Sequence, residues 1–473
     1  MTYNKTKLSV HDVQWLLLGT AIVLMPINIS KGFAFSFGDL GIDASFYPLV
    51  GLIMVFMSTM LLGGKFKQPN AFGYKLFLFF IIWIIISVFF NLFNISTSIS
   101  KGRTGVEKFI LQFMVLSFYF LVALVTYNLL IIKGETSLKL IRFYTMIGLL
   151  CCGMYCIIEV PALLGSSIAE NFLEKISSLF RNETYRMVFF RSGRLRSLSQ
   201  EPSWFGTYLA FATPWFLSLL LNTGKKIILP VLFFLYLVLL IFYSQSRVAW
   251  FIFIIEFVLF FILAMFFGDK KRKKSPFLYI LVALLPLVVL GILYKDFFLY
   301  KFNYVFKSFG QNASLEALNS NMERIGFQYA AVCMGLDKPI FGVGLGQYGF
   351  WWKDFLPNWA IVLIPELLQD AHGTRWPTSH GLIARLFAET GLGVFIFIGV
   401  LLASLCRSMQ YVRLVSKYAP SQTPLAISLT TCICGVSASL ATGDSLRYFY
   451  LWLILALAWS LPIERYKKTL VSS

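Results

Sequence analysis

Few side chains in this sequence can move a proton near neutral pH. Of three histidines, His11 lies near the N-terminus, and His372 and His380 fall in a long polar stretch. His380 stands in Pro377-Thr378-Ser379-His380-Gly381, just ahead of an apolar run. A neutral imidazole there can take a proton from a hydroxyl; the plainer alternative is a hydrogen-bonded interfacial histidine. Cations gather elsewhere. Between residues 163 and 202 stand Lys175, Arg181, Arg186, Arg191, Arg194 and Arg196, against four glutamates. A guanidinium grips phosphate through two hydrogen bonds at once, so this stretch suits an anionic ligand. A solvated loop, or contact with lipid headgroups, is the alternative.

Glu201-Pro202-Ser203 reads as the start of a helix, with an acid near its N-terminus and Pro in its first turn. Glu201 is then a helix-dipole partner, or it orients the arginines or touches a sugar hydroxyl. Ser244-Gln245-Ser246-Arg247 is a polar patch between two apolar runs. Glu159 and Glu256 lie within apolar runs, where a carboxylate is costly and calls for a function or a partner. Glu159 reads as interfacial. Glu256 reads as protonated, or hydrogen-bonded to a neighbouring helix, ahead of any catalytic role. Gly342, Gly344, Gly346 and Gly349 could let backbone approach a ligand, but no strand–helix–strand unit makes them a dinucleotide fingerprint. No two acids stand two residues apart, and there is no Walker loop or metal-spaced Cys or His pair. A nucleotide-powered pump and a metal-dependent nucleotide-sugar transferase are therefore disfavoured.

The elements that must hold these residues are membrane helices. Of 473 residues, 58% are hydrophobic and 13% charged, about half the charged share of a soluble protein. This excludes a soluble enzyme, a disordered chain and a disulfide scaffold; the seven cysteines mostly lie in apolar runs. The first apolar run lacks a small-residue cleavage site, so a cleavable signal peptide is not expected. Runs long enough to cross a bilayer centre on 14–30, 46–62, 76–93, 109–131, 142–162, 203–222, 227–243, 248–267, 277–294, 384–405, 423–442 and 448–463. The chain is expected to be all-α, a polytopic integral membrane protein of about 12 transmembrane helices in one membrane domain spanning 1–473. Short basic loops, densest at Lys270 to Lys274, mark the cytoplasmic side together with both termini. The net charge of +19 follows from this topology and is not a nucleic-acid signal. Segments 163–202 and 295–383 then form two long periplasmic loops. Ser320-Asn321-Met322-Glu323 reads as a capping box, with Ser320 at the N-cap and Arg324 in the first turn of a loop helix.

Taken in order, four features resemble the bacterial O-antigen ligase/polymerase superfamily over about residues 190–400. They are the Arg-rich run into Glu201-Pro202-Ser203-Trp204-Phe205-Gly206; Ser246-Arg247 between two spans; Arg324 followed by Asp337-Lys338-Pro339-Ile340-Phe341-Gly342-Val343-Gly344-Leu345-Gly346; and His380 ahead of Glu389-Thr390-Gly391. The resemblance implies an all-helical, glycosyltransferase-C-like enzyme of the bacterial inner membrane, with its site facing the periplasm. It implies a donor glycan on undecaprenyl pyrophosphate and no metal or other cofactor.

Carried onto this sequence, His380 becomes the base on the acceptor hydroxyl, and Arg247, Arg324 and Arg196 hold the pyrophosphate. Arg191, Arg194, Glu201, Arg375 and Glu389 are secondary candidates. Ligases of the family follow the His with Asn, Ser or Gln and later show Gly-x-x-Gly. Here Gly381 follows His380, and Gly391-Leu392-Gly393 comes later, which favours a polymerase. The alternatives are a ligase transferring polymer to lipid A–core and, from another class, a lipid-linked oligosaccharide flippase. The expected partners are undecaprenyl-pyrophosphate-linked glycans, membrane lipids and a chain-length regulator protein, with no nucleic acid. Trp204, Trp351, Trp352 and Trp376 either stack on sugar faces or belong to an interfacial aromatic belt.

Overall fold

The computed structural model describes residues 9–28, 41–180, 194–221, 228–268, 315–357 and 376–464, with a few isolated positions between and after them. Arg191, His372, Arg375 and the cluster Lys270 to Lys274 lie outside the described residues, as does most of the run 277–294. The described chain is helical apart from a two-residue hairpin. Its elements are α1 (Val10–Leu24), α2 (Phe46–Leu61), α3 (Phe72–Phe90), α4 (Leu92–Thr97), β1 (Ile99–Ser100), β2 (Arg103–Thr104), α5 (Gly105–Lys133), α6 (Thr136–Leu163), α7 (Ser167–Phe180), α8 (Pro202–Leu221), α9 (Ile228–Ser244), α10 (Arg247–Phe267), α11 (Leu315–Asp337), α12 (Leu382–Thr390), α13 (Gly393–Tyr418), α14 (Thr423–Ser439) and α15 (Phe449–Ser460).

Six of these helices, α3, α5, α6, α8, α10 and α13, are long and apolar enough to cross a membrane. Four more, α1, α2, α9 and α15, are apolar but shorter. The chain is thus a multi-pass helical membrane protein, with six full-length candidate spans among the described residues. Helix is the only open-chain way to satisfy a backbone inside lipid, and α3 shows the result. It carries exposed Phe79, Ile82, Ile85 and Phe89 on one side, and buried Phe77, Phe80 and Ile84 on the other. The split at Ser244–Arg247 is real: Ser246 caps α10 by accepting from the Ala249 amide at 3.4 Å.

Two boundaries differ from the sequence reading. The run 384–405 is not one span, because Gly391 takes φ +54° between α12 and α13. A Cβ at Gly391 would lie 2.3 Å from the Pro339 carbonyl oxygen, so the chain turns against the preceding segment there. Ser320 is not an N-cap either. It lies inside α11, which already runs from Leu315. The Leu-Glu-Ala-Leu run ahead of it consists of good helix formers, and the helix extends back through it.

The two ends of the bundle are chemically distinct. At one end Asn128 holds the Lys67 amide at 2.9 Å, and Glu135 accepts from Gln422 and from Tyr466. The opposite end gathers the two long segments. The stretch 338–347 packs down onto α3 and α5: Ser87 donates to the Phe341 carbonyl at 2.6 Å, and Gln347 donates to the Gly105 carbonyl at 2.9 Å. Its glycines serve this packing. A Cβ at Gly342 would lie 2.5 Å from the Ala388 carbonyl oxygen, and one at Gly346 would lie 2.8 Å from that of Lys108. The close approach expected of a ligand is made by neighbouring backbone.

In cysteine-free protein in intact cells, a cysteine replacing exposed Asp354 should react with a membrane-impermeant maleimide, and one replacing Lys65 should react only after lysis. The reverse pattern would invert every assignment of the site to an outer face.

Candidate functional site

His380 is held by its backbone. It takes φ +53°, a left-handed conformation uncommon in a non-glycine residue and one that needs surrounding support. On one side the Ser379 amide donates to the Asp444 carboxylate at 3.0 Å. On the other, Gln328 Nε2 of α11 donates to the His380 carbonyl and to the Ala441 carbonyl, each at 2.9 Å. The Leu382 amide then donates to the carbonyls of Leu440 and Gly443 at 2.8 Å. A Cβ at Gly381 would lie 2.8 Å from the Ala441 oxygen. The glycine after His380 is therefore a packing requirement of this loop pair. The imidazole stands 5.6 Å from the Phe327 ring.

Arg324 lies one helical turn before Gln328 on α11, half-buried, so positions i and i+4 put it on the side of the helix that reaches His380. Glu389 is buried and occupied. It accepts from Arg385 Nε at 3.0 Å and from the Tyr348 amide at 3.4 Å. Arg385 also donates from Nη1 to the Asp444 carbonyl at 3.0 Å. Burial opposes the Arg385 charge, but Glu389 and Asp444 outweigh it and hold the guanidinium above its ordinary value. Glu389 thus belongs to the frame of the site.

The other candidates meet at a second corner. Arg194 Nη2 donates to the Gln245 carbonyl at 3.2 Å, and the Leu195 amide donates to the Tyr243 carbonyl at 2.9 Å. These bonds tie the end of the first long segment to the turn that opens at Arg247. Arg247 itself is exposed. Gly206 permits the contact: a Cβ there would lie 2.9 Å from the Ala249 side chain and 3.0 Å from Ser246 Oγ. Arg196 is buried, with Nη1 on the Gln200 carbonyl at 3.4 Å. Pro202 opens α8, and Glu201 stands exposed at its start, accepting from Ser203 Oγ at 3.2 Å.

Glu159 supplies the anchor of that corner. It is fully buried within the protein. Its two oxygens accept from the Arg196 amide at 3.0 Å and the Ser197 amide at 2.8 Å. One carboxylate from a span thereby fixes the backbone of the arginine loop, where Ser197 is forced to φ +51°. Glu256 has no such task. It is fully buried against Gly435 of α14, and neither of its oxygens has a hydrogen-bond partner among the described residues.

Tyr448 joins the two corners. Its ring meets Trp204 edge-on at 6.2 Å and stacks on Tyr450 at 5.1 Å. Burial raises its hydroxyl pKa, and the charges of Asp444, Asp43 and Glu201 add to the rise while Arg447 opposes it. Of the four tryptophans considered for sugar stacking, Trp352 is buried against Phe327 at 5.0 Å. Trp376 covers Lys108, whose Nζ lies 4.2 Å from its ring centroid, and Trp351 lies beside Lys338. Trp204 alone of the four is placed here against Tyr448. Among the described residues no group of three His, Cys, Asp or Glu is placed to hold a metal ion.

Asp444, Arg447, Gln328, Arg385 and Asp43 were not singled out in the sequence. Asp444 had a usable signal, since it is the sole acid between Glu389 and Glu464 and sits in a polar break between two apolar runs. The same feature had marked Ser244–Arg247. Gln328 and Asp43 carried none.

This end of the molecule is a polar, backbone-anchored site with arginines and one histidine, in a multi-pass helical membrane protein. Residues 232–399 match the family model described as O-antigen ligase (Wzy_C), and this domain supports the O-antigen ligase/polymerase superfamily. The domain supports a polymerase or ligase role in surface polysaccharide biosynthesis. The matched segment contains Arg247, Arg324, Arg375, His380 and Glu389, and leaves out Arg191, Arg194, Arg196 and Glu201. No curated protein matches the chain.

Two outcomes test this frame. Glu159→Ala leaves two backbone amides without an acceptor and should destabilise the protein by about 2–3 kcal/mol, read as a lower thermal midpoint in detergent. Asp444→Ala should slow turnover at least tenfold in protein that still folds, whereas Asp444→Asn, which keeps an acceptor for the Ser379 amide, should recover most of it. Equal rates in both variants would remove Asp444 from the positioning of His380.

Proposed function

We propose that the protein is a polymerase that joins lipid-pyrophosphate-linked oligosaccharide repeat units on the periplasmic face of the inner membrane. The reading is carried by one observation. The segment that matches the O-antigen ligase model brings along Arg247, Arg324 and His380, and in the fold Arg324 is one turn from the glutamine that holds His380.

In this reading the donor is a growing glycan bonded at its reducing end to undecaprenyl pyrophosphate, and the acceptor is one new lipid-linked repeat. The acceptor hydroxyl oxygen attacks the anomeric carbon of the donor while its proton passes to the His380 imidazole. The bond from that carbon to pyrophosphate breaks, and undecaprenyl pyrophosphate leaves with the electron pair. Charge grows on the departing oxygen, and preorganised guanidinium groups at Arg247 and Arg324 stabilise it. Arg196, already fixed by Glu159 and Gln200, acts at the margin. Arg194 is engaged with the Gln245 carbonyl and shapes the turn at Arg247.

The ligase reading, transfer of finished polymer to lipid A–core, is favoured by the match to an O-antigen ligase family. The Gly381 that follows His380 favours the polymerase. The glycan profile of a strain lacking the protein separates the two. One repeat on the outer anchor marks a lost polymerase, whereas long polymer confined to the carrier marks a lost ligase.

His380→Ala should abolish polymer formation per folded molecule, and His372→Ala should be much milder. Arg324→Ala and Arg247→Ala should each cost about 3 kcal/mol of transition-state stabilisation, about a hundredfold in rate, with Lys restoring only part of it. Purified His380→Ala protein that still lengthens lipid-linked repeats would end the general-base role.

A further inference from the structure

The loop between α14 and α15 lies deep in the bundle. Trp452, in the first turn of α15, stacks on Tyr119 of α5 with ring centroids 6.3 Å apart. Tyr119 is about 21 Å along α5 from its outer end, at 1.5 Å per residue. Phe46, at the start of α2, packs on Phe118 of the same turn at 4.8 Å. Residues 41–45 and 443–448 therefore form a floor well inside the outer end of α5, and residues 379–382 are bonded directly onto the 440–444 part of it. The backbone on either side of His380 is thereby joined to this floor.

The floor is polar where a membrane bundle would otherwise be apolar. It holds Asp43, Asp444, Arg447 and Tyr448, with Glu201 and Trp204 at its rim. Asp43 is half-buried as a residue, yet burial of its carboxyl pushes the pKa up to about 6 even with Arg447 beside it. Below them Tyr119 is fully buried, interacts electrostatically with Asp43 and Arg447, and has a hydroxyl without a hydrogen-bond partner among the described residues. A buried, unsatisfied hydroxyl is uncommon and points to a missing partner.

The charge balance distinguishes two kinds of partner. Among the described residues, Asp43, Asp444 and Glu201 set three carboxyl groups against the guanidinium of Arg447, while Arg385 lies between Glu389 and Asp444. A pyrophosphate is disfavoured against these carboxyl groups and is matched instead by the guanidinium groups of Arg247 and Arg324. A polyol is not disfavoured: each sugar hydroxyl both donates and accepts, and matches a mixed set of carboxylates, guanidinium and phenol. The ring faces of Trp204 and Tyr448 offer apolar surface to sugar C–H groups.

We propose that Asp43, Arg447 and Tyr448, over Tyr119 and beside Trp204, form the subsite for the terminal sugar of the acceptor glycan, delivering its hydroxyl to His380. This rests on the glycosyl-transfer reading above and adds to it which substrate lies on which side: neutral acceptor sugar on the floor, anionic donor among the arginines.

The test uses full-length protein in detergent and, as probe, the repeat-unit oligosaccharide freed from its lipid carrier by mild acid. Wild-type protein should bind it, and a lipid pyrophosphate without sugar should not displace it. Tyr119→Phe, which removes one oxygen atom, should weaken binding about fivefold, and Asp43→Asn and Arg447→Gln about tenfold or more. In turnover the same variants should raise the acceptor KM and leave the donor KM unchanged. No binding of the freed oligosaccharide by wild type, equal binding by folded Tyr119→Phe and Asp43→Asn, or a rise in the donor KM alone would overturn the subsite. Glycosyl transfer itself is judged separately: wild-type protein that cannot lengthen lipid-linked repeats would overturn the underlying reading instead.

Discussion

The site depends on how residues 379–382 are fastened to residues 440–444. A loop at the end of a membrane bundle has no sheet to pair with, and its backbone groups need partners wherever water is excluded. Here Asp444 takes the Ser379 amide, Gln328 bridges the carbonyls of His380 and Ala441, and the Leu382 amide meets two carbonyls. These contacts hold His380 in a left-handed conformation that the free chain would rarely adopt. Three elements distant in sequence, α11, the start of α12 and the α14–α15 loop, are joined by them. Loss of any one strand of this fastening frees the histidine.

The arginine corner is built by the same means from a different residue. A single buried carboxylate, Glu159, gathers two consecutive amides of the loop, and the loop in turn is bonded to the turn ahead of Arg247. Among the described non-glycine residues, positive φ occurs at Lys101, Ser197, Gln245 and His380. Three of these four lie in the two fastened corners. Backbone strain of this kind persists only where its surroundings over-determine it, and here those surroundings are carboxylates and carbonyls anchored on spans.

Charge is sorted between the corners. Guanidinium groups collect beside α8 and α10, while carboxyl groups predominate on the floor joined to the His380 backbone. Tyr448 touches both corners, with its ring edge-on to Trp204 and its hydroxyl in the field of Asp444. In the glycosyl-transfer reading this asymmetry is useful, because the bond that breaks leaves charge on a pyrophosphate while the attacking group is a neutral hydroxyl.

Much of this was legible in the residues alone. Hydropathy located the helices, since a span must be apolar along its length whatever it packs against. The turn at Ser244–Arg247 and the start of α8 at Glu201-Pro202 followed from local chemistry, whereas Arg247, Arg324 and His380 were assigned roles only through the family resemblance. Local rules failed where a remote segment intervened. The break at Gly391 comes from the carbonyls of Pro339 and Ile340. The amides that engage Glu159 lie 37 and 38 residues away, and the Tyr348 amide reaches Glu389 only through the folding of 338–349 onto α12, whereas the Arg385–Glu389 pair is local, at i and i+4. Ser320 misled because a capping box signals a helix start only when the preceding residues are poor helix formers. Asp43 and Gln328 gained a role only from tertiary structure: each is one polar residue with no periodic or local signature, and its meaning lies in the backbone group or charge that the fold brings to it.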